Sequence, residues 1–206
     1  MKKLLLIFVV FIMTTASVTA QHDVRVNLFG LFFKHYGVGY EYIINDEMGA
    51  GIFINYSNGN PISLLTNNAQ DGSTYSLFTA TPEFRFYTNP ENGADRFYFS
   101  GYMRYKNSGW NHLQYYINGS GTPEYYDLTY SGLALGFGLG KKWMTNSGLY
   151  FETYYGMGKF IVGGETISNP RVEEHARSIG YDNEYSAIAS WDFRFHLSIG
   201  YRIGGY

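Results

Sequence analysis

His196 and Ser198 stand two residues apart near the C-terminus of a 206-residue chain. In an extended strand that spacing places both on one face. An imidazole beside a hydroxyl is the base–nucleophile pairing of hydrolases, provided that a third group orients the base. Glu152 is the candidate: if the connection between the last two strands closes with Gly163 opposite Tyr185, the residue opposite His196 is Glu152. Asp192, Arg194 and Arg202 share the parity of His196, and Arg25, Glu41, Glu83, Arg85 and Arg104 occupy matching positions in other segments. With Glu152 and His196 they form a polar set of both signs. Charges enclosed in a narrow space must pair, because an unpaired buried charge is costly. A network of salt bridges and hydrogen bonds is therefore the first reading of this set. Catalysis by Glu152, His196 and Ser198 is the alternative. No nucleotide-binding loop and no metal-spaced histidine cluster stands out, so neither a metal nor a cofactor is expected.

These residues must be positioned by strands. From Ala187 to Ile203 the chain alternates, with Trp191, Phe193, Phe195, Leu197, Ile199 and Tyr201 on one face and the polar residues on the other. A membrane barrel turns such an apolar face to lipid and keeps the polar face inside. Weaker copies of the pattern begin at Val24–Leu28 and recur at Tyr36–Ile44, Gly49–Tyr56, Tyr75–Tyr87, Phe97–Lys106, Tyr130–Trp143 and Leu149–Phe160. With the last segment these make an all-β chain, an eight-stranded antiparallel up-and-down transmembrane β-barrel. Pro82 lacks a donor N–H and should mark a bulge or weak point in its ladder. The glycines at inward positions leave room for bulky Tyr and Arg side chains of facing strands.

The connections sort by length. Asn45–Glu47, Asn89–Asp95 and Thr145–Gly148 have turn chemistry. Ser57–Thr74, Asn107–Glu124 and Gly163–Ser186 are long and polar. Short and long alternate, as in barrels with short turns on one side of a membrane and long loops on the other. The first connection, near Lys34-His35, breaks the alternation by being short. Within the last loop Asn169, Pro170 and Gly180 mark the start and end of a short helix, with Glu173 and Glu174 near its positive end. Trp110, Tyr115, Tyr116, Tyr125 and Tyr126 surround Asn118–Gly121. They belong either to a recognition surface for protein or sugar or to strand extensions and an interfacial aromatic belt.

Lys2 and Lys3, the apolar run Leu4–Met13 and the small residues ending at Ala20 form the three-part pattern of an export signal. Residues 1–20 are thus expected to be removed, leaving 21–206 as the barrel domain. The apolar run is too short to span a bilayer, which takes about 20 residues. With 21 Tyr and 16 Phe, 25 Gly and 5 Pro, the composition favours strands. The net charge of −2, more negative once Lys2 and Lys3 are gone, gives no footprint for nucleic acid. Cysteine is absent, which excludes disulfides and a lipid-modified N-terminal cysteine.

The Val24–Leu28 opening followed by Gly37–Tyr42, together with the strand pattern from Gln21 to Tyr206, resembles the small outer-membrane β-barrels of Gram-negative bacteria. The likeness is to the OmpA/OmpX type and to a Bacteroidota group of no assigned function. The C-terminal aromatic Tyr206 fits the recognition signal of that class, although Gly204-Gly205 interrupts the alternation before it. The resemblance implies export across the inner membrane, residence in the outer membrane among its lipids, and a non-enzymatic structural or surface-interaction role. Long loops would meet an extracellular protein or glycan. The His-x-Ser spacing also resembles outer-membrane lipid A deacylases, which pair it with a glutamate. Here that family's Asn after the serine is Ile199, and the side chains point away from lipid. A periplasmic lipocalin-like barrel is a further alternative, and it requires the apolar face inside.

Overall fold

The computed structural model describes residues 21–59, 73–91, 93–117, 121–180 and 190–204. The expected export signal, most of the loop Ser57–Thr74, residues 118–120, the stretch Ala187–Ala189 of the last strand, and the terminal Tyr206 lie outside them. Eight strands close into one antiparallel barrel in sequence order: β1 (Gln21–Asn27), β2 (His35–Asn45), β3 (Met48–Asn58), β4 (Thr74–Thr88), β5 (Arg96–Tyr115), β6 (Glu124–Met144), β7 (Leu149–Ile167) and β8 (Trp191–Ile203). Ring closure joins β1 to β8, with Val24 opposite Tyr201 and Asn27 opposite Ser198.

Period-two alternation decides what faces where. On β8 the apolar residues point outward and Asp192, Arg194, His196, Ser198, Gly200 and Arg202 point inward and are buried. The same division holds around the ring. Phe193 is 67% exposed and Phe137 63% exposed. Meanwhile Arg85, Arg202, Lys142, Glu41 and Glu152 rank among the largest fully buried side chains. The barrel is thus inverted relative to a soluble one.

A barrel of eight strands is only wide enough for side chains to fill, and here tyrosines fill it over glycines. The Tyr98 ring lies over Gly140, Tyr154 over Gly138, and Tyr102 over Gly136. A Cβ at Gly140 would sit 2.2 Å from Tyr98 Cζ. Register sets two of these pairs directly, since Tyr98 faces Gly140 and Tyr102 faces Gly136 across the β5–β6 ladder.

Three features differ from the sequence expectations. The fifth, sixth and seventh strands run well beyond Lys106, Tyr130 and Phe160, so Trp110, Tyr115, Tyr125 and Tyr126 belong to strand extensions. The first connection contains a helix, α1 (Leu28–Phe32), capped by Asn27 and left through Lys34 at φ 57. Pro82 interrupts the β4–β5 ladder without changing its register, because Ala80↔Tyr105 and Glu83↔Tyr102 stay in step. The expected helix of the last loop is present as α2 (Pro170–Ser178), with Asn169 accepting from Arg171 N–H.

The tyrosine-over-glycine contacts make a direct stability test. Gly140→Ala should lower unfolding free energy by about 1–3 kcal/mol through overpacking. Gly101→Ala, whose Cβ would meet nothing within 4 Å, should change it by less than about 0.5 kcal/mol. Urea midpoints of the two variants check this, and equal effects would contradict the packing described.

Candidate functional site

The inward face of β1, β2, β4, β5, β7 and β8 brings the polar set together. Arg85, on β4, is the hub. Its guanidinium reaches Glu41 at 3.0 Å, Glu83 at 2.7 Å and Glu152 at 2.8 Å. It also lies over the Tyr98 ring, 4.3 Å from the centroid. Arg25 bonds Glu83 and approaches Glu152 at 3.4 Å and Glu41 at 3.6 Å. Two guanidiniums therefore sit among three carboxylates, each contributed by a different strand.

Below this layer, toward the short turns, Asp23 holds Arg202 at 2.7 Å and Lys142 at 2.6 Å. Lys142 extends to Glu41 at 3.2 Å and donates to Tyr87 Oη at 2.8 Å, while Tyr87 Oη donates to Glu41 at 2.6 Å. The β4–β5 turn folds across this end: Ala94 is fully buried, its N–H donates to the Asp46 carbonyl, and the carbonyls of Gly93 and Ala94 accept from Arg202. Above the hub, Asp192 takes Arg104 at 2.7 Å and the Tyr102 hydroxyl at 3.0 Å. Arg194 reaches Glu83 at 3.5 Å and donates to Tyr154 Oη at 3.3 Å. Bringing these charges out of water is offset by their mutual pairing, while Arg25 Nη1 and Arg104 Nε are left without a hydrogen-bond partner.

Ten residues proposed from sequence for this set, Arg25, Glu41, Glu83, Arg85, Arg104, Glu152, Asp192, Arg194, His196 and Arg202, all lie on the inward face. Asp23 and Lys142 were missed, although Asp23 shares parity with Arg25 and Lys142 shares parity with Gly138 and Gly140. Their position two residues inside a strand end hid them. Parity extended to the strand termini would have found both.

The alternative catalytic set is not assembled. Glu152 lies opposite Ser198, and Tyr154 lies opposite His196. The expected register is therefore off by two residues: β7 pairs with β8 only as far as Lys159↔Trp191, and Gly163 lies opposite Gly132 of β6. Both carboxylate oxygens of Glu152 are held by Arg85. Neither ring nitrogen of His196 nor Ser198 Oγ has a hydrogen-bond partner. A serine without a base and a histidine without an orienting group cannot form an activated nucleophile. Among the described residues no group of three or more His, Cys, Asp or Glu could hold a metal.

The outward residues Trp191, Phe193, Phe195, Leu197 and Tyr201 are exposed, and Ile199 is half-exposed. Tyr155 stacks against Phe195 at 5.0 Å, and Phe84 meets Phe86 at 4.9 Å.

The barrel is of a kind already seen in solved structures. The chain superposes on a major outer membrane protein from Thermus thermophilus with a TM-score of 0.53 at 10% identity, covering 90% of this chain and 100% of that one. Lesser likenesses are to Acinetobacter baumannii CarO2, with a TM-score of 0.46 at 12% identity over 89% and 98% of the two chains, and to Neisserial surface protein A, with 0.45 at 11% over 90% and 96%. At these identities the likeness defines the fold, an eight-stranded antiparallel barrel. No protein-family profile matches the sequence, and neither does any curated protein.

The hub predicts an asymmetry between two buried positions. Arg85→Met leaves Glu41, Glu83 and Glu152 facing one another and should cost about 3–5 kcal/mol. Ser198→Ala removes a hydroxyl that bonds nothing and should change stability by less than about 0.5 kcal/mol. Urea unfolding of both variants reads the difference, and a tolerated Arg85→Met would contradict the hub.

Proposed function

We propose that the chain is a non-enzymatic outer-membrane barrel, exported across the inner membrane. On this reading its lumen is sealed by its own charged side chains, and its outer loops and extended strands carry a structural or surface-interaction role. One observation carries the membrane reading: apolar side chains cover the outside while charges fill the inside. Isolated exposed apolar residues are ordinary, but monomeric soluble proteins rarely expose contiguous patches beyond a few hundred Å². Here outward apolar residues occur on every strand. The same arrangement disfavours a lipocalin-like role, since among the described residues charged and tyrosine side chains make up most of the large fully buried ones.

In this reading the short turns face the periplasm. β2 and β3 have 11 residues each, close to the ~9–11 that cross a bilayer. β5, β6 and β7 have 20, 21 and 19, so their hairpins rise well above the outer surface. α2 is pinned to that projection: Asn169 donates to the Tyr125 carbonyl, Arg171 pairs with Glu124 at 3.1 Å, and Ser168 Oγ accepts from Asp127 N–H. Tyr116 and Tyr125 remain exposed beside it. A rigid projection with exposed tyrosines suits contact with an extracellular protein or glycan.

The absence of cysteine makes orientation testable. Single cysteines at Phe193, Phe195 and Leu197, each carrying a spin label, should show collisions with lipid-soluble relaxants in vesicles. Cysteines at Arg194, His196 and Ser198 should not. If the second set reports lipid and the first does not, the barrel is inverted from this reading.

A further inference from the structure

β1 is the shortest strand, at 7 residues, and its pairing with β8 stops at Asn27↔Ser198. β8 continues outward through Leu197 to Trp191, paired there with β7 alone. Each second residue of an antiparallel strand turns its N–H and C=O to the other side. The β1-facing edge of this stretch therefore has no strand to receive it. α1 stands in the gap. Its turn is tight, since a Cβ at Gly30 would lie 2.5 Å from the His35 carbonyl oxygen. Phe29 sets its ring edge against Phe195, centroids 5.0 Å apart. The helix thus leans on the outer face of β8 instead of continuing the sheet.

A cavity of about 380 Å³ opens at this place. Phe193 and Phe195 border it from the outer face of β8, and Arg194 and His196 border it from the inner face. Neighbouring side chains on a strand point to opposite faces. Residues of both parities on β8 line this space beside the stretch that β1 leaves uncovered, which places it at a break in the barrel wall. Its outer rim is apolar, formed by Phe29, Phe193 and Phe195. Its inner end is polar and cationic. Arg104, which pairs with Asp192 at 2.7 Å, and Arg194 border it, and the carboxylate nearest Arg194 is Glu83, which Arg25 and Arg85 already hold. His196 is only 7% exposed and both its ring nitrogens lack partners, as does Arg104 Nε. A buried polar group without a partner is costly, and the two residues that carry these atoms, His196 and Arg104, both line this space.

The geometry points to a lateral portal that admits a membrane amphiphile with a single anionic head. The head, a carboxylate or a phosphate, meets Arg104, Arg194 and His196, while the hydrocarbon chain stays between Phe29, Phe193 and Phe195 and leads outward to lipid. The apolar rim excludes a free inorganic anion as the preferred occupant, and the cationic end excludes a neutral lipid. This inference rests on the membrane reading of the preceding subsection.

The test uses the full barrel in a neutral detergent, with its folded state shown by different gel mobility before and after boiling. Phe33→Cys, at the cavity wall, carries a fluorophore, and brominated stearic acid quenches it. Quenching should saturate. Stearate and octadecyl phosphate should compete, whichever is stronger naming the head group, while octadecanol, acetate and inorganic phosphate should not. Arg194→Gln should raise the half-saturating concentration about tenfold, the effect of losing one charge-assisted bond. If that variant fails to fold, the competition series on the labelled parent decides alone. Unsaturable quenching, competition by octadecanol as strong as by stearate, competition by phosphate ion alone, or an unchanged half-saturation in folded Arg194→Gln would each overturn the portal. A protein that needs no detergent to stay soluble would overturn the membrane reading instead, whatever it binds.

Discussion

A guanidinium cannot be left without carboxylates where water is excluded, and Arg85 shows how the barrel meets that constraint. Glu41, Glu83 and Glu152 come from three strands, so the full set of pairs forms only when the ring is closed. The ion pairs and ring closure are then one event. The tyrosines follow from the same constraint. Space left between the charged layers must be filled without adding apolar bulk that cannot hydrogen-bond. Tyrosine supplies a ring for packing and a hydroxyl for the network, as Tyr87 does for Glu41 and Tyr102 for Asp192. The facing glycines make room for those rings.

The two ends of the barrel differ. At the short-turn end, Arg202 ties the Gly93-Ala94 backbone across the opening, and Asp23 and Lys142 complete the closure. At the other end Arg104 pairs with Asp192, Arg194 reaches Glu83, and Lys106 lies over the Tyr130 ring. The wall is also incomplete there, since α1 replaces sheet beside β8. Arginine side chains and the proposed opening to the apolar surface occur at the same height, which is what would link the interior to a ligand arriving sideways instead of along the axis.

Much of this was legible in the sequence because a strand has a period of two. Residue parity on β8 alone separates Trp191, Phe193 and Phe195 from Asp192, Arg194 and His196, and the inward charges of other strands follow by the same rule. Register was not legible, because it depends on where a hairpin closes. The β7–β8 ladder sets Glu152 opposite Ser198 instead of His196 and dissolves the suggested catalytic set. α1 was hidden for a different reason. Leu28–Phe33 is uniformly apolar except for Gly30, so it shows neither a helical nor a strand period, and only the early end of β1 reveals it. The outer parts of β5 to β7 look like loops in the sequence because irregularities at Trp110/Leu113 and Leu133/Ala134 break the alternation there.

The central claim is that paired charges seal the lumen, and ion conductance across a planar bilayer tests it most directly. The wild-type barrel should insert without resolvable current steps. The double variant Arg85→Ala/Glu152→Ala, which removes both partners of one pair and so leaves less charge stranded, should show small discrete steps. Stable steps from the wild type, equal to those of the variant, would contradict the account.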